Sequence, residues 1–333
     1  MTDWPTAELH VHIEGTLEVE LLVELARRNG ATLPSYDAEV LRARYAFTDL
    51  QSFLDVLYAN LRVLRTEQDF HDIASAYLDR AHRAKVRRAE IFFDPQTHLR
   101  NGIPFEVVIG GLAAALDEAR REQGMSVALI PCLLRELGAD AAMRMLDVIL
   151  PFRDEYVAMG MVSTEVGYPP SQFAEVYARA AAEGLHLVAH AGEEGPPEYV
   201  REAVDVLGVQ RVDHGNRAME DPELVRRLAD LRMPLTVCPL SNVALRTAPR
   251  ELSRHPLPAM LANGLVVTVN SDDPAYFGGY IDDNFRAIAA ALPLGPADLA
   301  TLARNSFEAS FATEAEKTTW IAEVDAVLAG VSG

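Results

Sequence analysis

Short apolar runs alternate with longer segments of helical periodicity along most of the chain. The longer segments repeat apolar residues every three or four positions, as an amphipathic helix does. The short runs are rich in Val and Ile and predict buried strands, at residues 7–12, 89–94, 127–132, 157–162, 185–190, 211–215, 234–239 and 265–273. Eight strands that alternate with helices predict an α/β fold, a parallel sheet closed into a (β/α)8 TIM barrel.

Two predicted helical regions are additional to the eight strand–helix repeats of the barrel. One lies between the first two strands, and the other begins at about residue 295 and forms the C-terminal tail. We find no segment rich in Gly, Pro or Ser and no low-complexity tract that would divide the chain. The sequence therefore predicts a single domain, residues 1–333, with extra helices after the first strand and at the C-terminus.

The net charge of the chain disfavours some classes of partner, and its cysteine content disfavours disulfide bonds. The chain has 30 Lys and Arg against 49 Asp and Glu, a formal net charge of −19. Such a chain binds nucleic acid or anionic membranes poorly, so we expect neither partner. Cys132 and Cys238 are too few for a disulfide framework and are interpreted as buried thiols. With an acidic N-terminus and no long apolar span, the sequence predicts a cytoplasmic protein and leaves its oligomeric state open.

Metal-binding side chains follow the ends of four predicted strands. His10 and His12 are two positions apart on one strand, so both imidazoles point the same way. Because a barrel builds its active site at the C-terminal ends of its strands, the groups at these ends converge. The full set is His10, His12, His190, His214, Asp272 and Asp273.

Three imidazoles and one carboxylate from this set suit a single metal ion. Nitrogen and oxygen ligands favour zinc, with one position left for water, and the predicted ligands are His10, His12, His190 and Asp272. Two-metal barrels usually bridge their ions with a carboxylated lysine. Lys85 and Lys317 both lie away from the C-terminal strand ends, so we predict one zinc ion per chain.

Several aspartates and histidines also have a purely structural interpretation. Asp94 follows the second strand and either orients a ligating histidine or caps a helix. The pair Asp272 and Asp273 precedes Pro274, a pattern that a turn or helix cap also explains. Structural roles are expected for the remaining histidines, which are His71, His82, His98, His186 and His255.

Five segments of the chain carry a resemblance to a known family. They read AELHVHIEGTLE (7–18), HAGEEGPPEYV (190–200), VDHGNRAMEDPELV (212–225), LTVCPLSNVALR (235–246) and VTVNSDDPAYFGGY (267–280). In this order they resemble the motifs of the adenosine and adenine deaminase family, zinc-dependent barrels of the amidohydrolase superfamily. The resemblance extends from about residue 5 to about residue 310.

The resemblance implies a role for each candidate residue. His10, His12, His190 and Asp272 would bind zinc, which activates water for attack on C6 of a 6-aminopurine. Glu193 would donate a proton to N1, His214 would orient the water and help to deprotonate it, and Asp273 would hold N7. Glu193 must then be protonated near neutral pH, which requires a pKa raised by a low-dielectric pocket.

The turn after the paired histidines favours adenine as the substrate. Nucleoside deaminases of the family have Leu-Asp-Gly at this turn, and this chain has Ile13-Glu14-Gly15, as in the adenine deaminase branch. We expect Glu14 to bind substrate by occupying the ribose space, so that the chain converts adenine to hypoxanthine in purine salvage. Adenosine, another 6-aminopurine nucleoside or an N6-substituted adenine remains an alternative substrate. Val162 stands where the family has an acid, which leaves the N3/N9 side of the pocket undetermined.

Overall fold

Eight parallel strands form the centre of the protein. The computed structural model describes residues 4–332, so residues 1–3, on which part of the N-terminal prediction rests, lie outside it. The strands are β1 (Thr6–His12), β2 (Val86–Phe93), β3 (Ser126–Leu134), β4 (Ala158–Val162), β5 (His186–Ala191), β6 (Arg211–His214), β7 (Pro234–Val237) and β8 (Val266–Val269). Each predicted strand overlaps an observed one, which confirms the predicted strand order.

The sheet closes into the predicted TIM barrel. The strands pair in the order β1 to β8, each parallel to the next. The last junction joins β1 to the loop after β8: the N–H of His12 donates to the carbonyl of Asp272 at 3.0 Å, and the N–H of Asp272 donates to that of His10 at 2.9 Å. Closure therefore places Asp272 directly beside the two histidines of β1.

One strand boundary is wrong in the sequence prediction. The eighth strand was expected to reach residue 273, but β8 ends at Val269. Asp272 has a φ of 66°, a left-handed conformation through which an extended strand cannot continue. Asp272 and Asp273 therefore lie in the loop beyond β8, where their side chains are free of the alternation that a strand imposes.

Helices surround the barrel and include the predicted additions. The helices of residues 4–332 are α1 (Val19–Asn29), α2 (Ala38–Arg42), α3 (Leu50–Asn60), α4 (Glu67–Arg83), α5 (Pro95–Arg100), α6 (Phe105–Gln123), α7 (Ala139–Ile149), α8 (Ala174–Ala182), α9 (Pro197–Glu202), α10 (Pro222–Asp230), α11 (Pro239–Ala244), α12 (Leu257–Ala262), α13 (Pro274–Phe277), α14 (Ile281–Ala291), α15 (Pro296–Glu308) and α16 (Glu314–Ser332). The insert between β1 and β2 is α1 to α4, and the tail is α15 and α16. Among the described residues, no helix combines the length and apolar character needed to cross a membrane.

The tail stabilises the junction that closes the barrel. Ser306 of α15 accepts a hydrogen bond from the N–H of Ala7 in β1 at 2.8 Å. Asn305 donates its side-chain N–H to the carbonyl of Val267 in β8 at 3.0 Å. Helix α15 thus bonds to both strands at the junction where the metal-binding residues meet.

Candidate metal and active site

His10, His12, His190 and Asp272 converge inside the barrel mouth, as predicted. Their ligand atoms all lie within 4.8 Å of one another. The Nε2 atoms of His12 and His190 are 3.2 Å apart, and Asp272 Oδ1 lies 3.4 Å from Nε2 of His10 and 3.5 Å from Nε2 of His12. All four side chains are buried.

The protonation states of this cluster suit a cation. Burial lowers the pKa of His12 to about 4 and that of His190 well below its usual value, so both imidazoles are neutral at neutral pH, as ligands must be. Burial by itself would raise the pKa of Asp272, but the adjacent His10 and the other histidines hold it well below its usual range. Within the described chain, His10 Nε2 has no hydrogen-bond partner. An imidazole nitrogen without a partner, beside two neutral imidazoles and an ionised carboxylate, fits a metal ion.

A second group of four residues overlaps the first. It contains His10 and Asp272 together with His214 and Cys238. Burial raises the pKa of the Cys238 thiol well above its usual value, and the thiol faces the carbonyl of Thr236 at 3.7 Å. Because the thiolate rather than the thiol binds metals, the set of three imidazoles and one carboxylate is the better ligand set.

Hydrogen bonds behind the ligands orient the imidazole of His10. The hydroxyl of Thr236 donates to Asp213 Oδ1 at 2.9 Å and lies 2.9 Å from His10 Nδ1. Thr236 therefore accepts from Nδ1–H of His10, which leaves Nε2 unprotonated for a metal. Asp213 Oδ2 lies 3.6 Å from His190 Nδ1, close enough for a charge interaction but too far for a hydrogen bond. The partner of His10 is therefore Thr236, which Asp213 holds in place. Partners of this kind fix ring orientation and raise the basicity of a ligating histidine.

Glu193 and His214 form an acid and base pair beside the cluster. His214 Nε2 lies 3.5 Å from Glu193 Oε2 and 3.9 Å from Asp272 Oδ2. Burial, followed by the charges of Asp272 and Glu165, raises the pKa of Glu193 well above its usual range. Burial also lowers the pKa of His214 well below its usual value. Both shifts favour a protonated carboxyl group next to a neutral imidazole, a pair that can donate one proton and accept another.

Glu165 holds the loop that carries Glu193. Its Oε1 accepts from the N–H of Gly192 at 2.6 Å, and its Oε2 accepts from the next three N–H groups, those of residues 193–195, at 3.0, 2.8 and 2.8 Å. A Cβ atom at Gly195 would lie 2.5 Å from Glu165 Oε1, so only glycine allows this approach. Arg135 lies 3.9 Å from the same oxygen and donates to the carbonyl of His190 at 2.6 Å.

The cavity above the cluster has an apolar cover and a polar floor. Its apolar wall consists of four side chains from α3 together with two from later loops and strands: Leu50, Phe53, Leu54, Leu57, Val162 and Leu245. Tyr58 and Ser163 also line it, with their hydroxyl oxygens 3.0 Å apart. Apolar cover over convergent polar groups is typical of a site for a small planar molecule.

Glu14 lies next to the cavity and is held by two donors. Its Oε1 accepts from the N–H of Asp94 at 2.9 Å and lies 2.8 Å from His98 Nε2. His98 is therefore a structural histidine, as expected, but one that positions a candidate site residue. A Cβ atom at Gly15 would lie 2.1 Å from Asp273 Oδ1, so the glycine after Glu14 is needed for close packing of the two motifs.

Asp94 and Asp273 both line the cavity. Each occupies the N-cap position of a short helix, yet within residues 4–332 neither side chain makes a capping hydrogen bond. Neither capping interpretation is therefore supported. Over the same residues, one carboxyl oxygen of each, Oδ1, has no hydrogen-bond partner. Burial, followed by the charge of Asp272, raises the pKa of Asp273 well above its usual range.

The lysines and cysteines lie where the sequence predicted. Lys85 is exposed in the turn before β2, at the opposite end of the strand from the site. Lys317 is on α16 and pairs with Glu314 at 3.0 Å. Cys132 and Cys238 are both buried free thiols.

Comparisons with known proteins identify the family. The adenosine deaminase family model matches residues 5–327. An adenine deaminase of Cupriavidus necator is 57% identical over 321 residues, 96% of this chain and 91% of that protein. The crystal structure of adenine deaminase from Arthrobacter aurescens is 52% identical, with a TM-score of 0.95 and 99% of both chains covered. An amidohydrolase structure from Burkholderia ambifaria with bound Zn is 30% identical, with a TM-score of 0.91 and 99% and 93% coverage. This chain therefore belongs to the adenosine deaminase family.

Proposed function

We propose that the chain is a zinc-dependent adenine deaminase, which hydrolyses adenine to hypoxanthine and ammonia. The observation that carries this proposal is the convergence of three imidazoles and one carboxylate next to the pair of Glu193 and His214. The adenine deaminases that are 57% and 52% identical to this chain support the substrate. The bound Zn of the Burkholderia ambifaria protein supports the metal.

One zinc ion per chain would be held by His10, His12, His190 and Asp272. These nitrogen and oxygen donors are the ligand types that zinc prefers. When bound, zinc would act as a Lewis acid that lowers the pKa of a water molecule toward neutrality. Thr236, held by Asp213, would keep the imidazole of His10 in the required tautomer and orientation.

The protein groups would move the protons of the reaction. The protonated carboxyl of Glu193 would donate to N1, so that the C6=N1 bond accepts the electrons of the attacking water oxygen. The neutral His214 would take a proton from this water and return it to the departing amine. The C6–N6 bond then breaks as the C6=O bond forms, ammonia leaves, and the remaining hydroxyl proton returns to the Glu193 carboxylate. The raised pKa of Asp273 favours its protonated form, which would donate a hydrogen bond to N7 and fix the orientation of the ring.

Glu14 and the apolar cover of α3 would restrict the site to a free base. Glu14 is 1% exposed, and its side chain would occupy the space that the sugar of a nucleoside needs. The same residues support a role in purine salvage with a small-molecule purine as the partner. The acidic charge and the buried free thiols support a cytoplasmic protein that binds neither nucleic acid nor membranes.

The proposed function is tested by assaying the zinc-loaded protein with adenine and adenosine in parallel. We expect the adenine absorbance band to disappear with formation of hypoxanthine, no conversion of adenosine, and no activity of Glu193→Gln. Conversion of adenosine in preference to adenine would move the protein to the nucleoside deaminases. Inactivity on both, with zinc bound, would contradict the proposal and favour N6-substituted or larger adenine derivatives.

A further inference from the structure

Besides Glu193, Asp272 and Asp273, the cavity is lined by a fourth carboxyl group, and the proposed reaction gives this group no role. Asp94 follows β2, is 5% exposed and lines the cavity beside the catalytic groups. Its Oδ1 is buried, and no hydrogen-bond partner for this atom occurs between residues 4 and 332. A buried polar oxygen without a partner destabilises a protein unless a ligand supplies the missing donor. The orphaned oxygen therefore indicates a ligand contact.

The position of Asp94 around the barrel suggests which part of the ligand it meets. Glu193 follows β5, Asp273 follows β8 and Asp94 follows β2, and the strands are arranged in sequence order. The three carboxyl groups thus enter the cavity from well-separated points of the barrel rim. A free purine has three hydrogen-bonding edges, at N1, at N7, and at N3 with N9. With Glu193 at N1 and Asp273 at N7, the remaining edge faces Asp94.

We propose that Asp94 binds the N3/N9 edge of free adenine by accepting a hydrogen bond from N9–H, and so selects the base against its nucleosides. This inference rests on the proposed function. In a nucleoside, N9 is bonded to the sugar and has no hydrogen, so the carboxyl group would stay buried and unpaired. A site built to bond a substrate N–H rejects an analogue that lacks it by several orders of magnitude.

The surroundings of Asp94 support this contact. Burial, followed by the charges of Glu14 and Glu136, raises the pKa of Asp94 well above its usual range. A protonated carboxyl group has an O–H donor beside a carbonyl acceptor, which matches the N3 acceptor beside the N9–H donor of adenine. The backbone N–H of Asp94 is fixed by Glu14 Oε1 at 2.9 Å. Glu14 therefore positions Asp94, and Asp94 contacts the base.

The test compares adenine with 9-methyladenine, which lacks the N9 hydrogen. We measure kcat/KM for both compounds with the wild type, Asp94→Ala and Asp94→Asn. The wild type should prefer adenine by about 10³-fold or more. For Asp94→Ala, kcat/KM on adenine should fall about 10²-fold, mainly through a higher KM, and kcat/KM on 9-methyladenine should change little. The preference for adenine over 9-methyladenine should therefore fall by the same factor. Asp94→Asn keeps a donor beside an acceptor and should retain the preference to within about tenfold.

Asp140→Ala, an exposed aspartate on α7, is the matched control and should change neither value. An unchanged preference in a folded, zinc-loaded Asp94→Ala would overturn the inference. So would a collapse seen in Glu14→Gln and not in Asp94→Ala. If Asp94→Ala does not fold, two other results would overturn the inference. One is equal kcat/KM of the wild type for both compounds, and the other is loss of the preference for adenine in Asp94→Asn. A wild type inactive on adenine refutes the proposed function itself, whereas an active wild type with an unchanged preference refutes only the role of Asp94.

Discussion

Replacement of Glu165 by glutamine should loosen the loop that presents the proton donor. The change removes the charge and one acceptor but keeps the shape of the side chain. In its better orientation the amide oxygen still accepts from three backbone N–H groups, those of residues 193–195, and the N–H of Gly192 loses its acceptor. Leaving the buried N–H of Gly192 without an acceptor costs about 1–3 kcal/mol. Each of the three remaining hydrogen bonds loses about 1 kcal/mol because its acceptor is no longer charged. The expected loss of stability is about 5 kcal/mol, close to the cost of breaking a buried ion pair.

This loss can be measured by thermal unfolding and by kinetics. For a chain of 333 residues, an unfolding entropy of about 2.1 cal/mol/K per residue converts it to a fall in Tm of about 7 °C. Displacement of Glu193 by about 1 Å should lower kcat on adenine about 100-fold. The KM should change less, because the apolar cover from α3 is untouched. A KM effect without a kcat effect would show that Glu165 acts on binding instead.

Glu175→Gln is the matched control, because Glu175 is exposed on α8. It should leave both Tm and kcat unchanged. The reasoning is refuted if Glu165→Gln unfolds within about 2 °C of the wild type and retains its kcat, since the four hydrogen bonds would then contribute little to the loop.

Three further changes test other parts of the site. Thr236→Val removes the acceptor of His10 Nδ1 and should weaken zinc binding about 10–100-fold, measured against a competing chelator; unchanged affinity would contradict the role of Thr236. Gly15→Ala places a Cβ atom 2.1 Å from Asp273 Oδ1, so KM for adenine should rise while zinc content stays constant, and an unchanged KM would refute the packing argument. Burial lowers the pKa of His255 from 6.5 to about 4, so its neutral form favours folding above about pH 6.5 and the chain loses about 3 kcal/mol of stability as the pH falls to 4. His255→Gln should lack this part of the acid destabilisation in urea unfolding, and parallel curves for the two proteins would disprove it.

The convergence of the candidate metal ligands was predictable because it follows simple local rules. His10 and His12 share a strand face through the alternation of side chains, and barrel topology brings strand ends together. His190 and Asp272 belong to segments that match family motifs. The end of β8 was not predictable from apolar patterning, because the left-handed backbone of Asp272 leaves no sign in the hydrophobic pattern.

The residues that support the site escaped sequence reasoning. Glu165 contacts a loop that begins 27 residues later in the chain, and Arg135 reaches His190 across 55 residues. Thr236 and Asp213 lie inside the quoted motifs, but their mutual hydrogen bond appears only when β6 and β7 pair. Contacts of this type depend on the assembled barrel, and neither periodicity nor spacing along the chain encodes them.

The central claim is that one metal ion held by His10, His12, His190 and Asp272 enables the deamination of adenine. The most direct measurement is the titration of metal-free protein with zinc while adenine turnover and bound zinc are followed together. The account predicts no turnover without zinc and a linear rise that saturates at one zinc ion per chain. Full activity of the metal-free protein, or saturation only at two ions per chain, would contradict it.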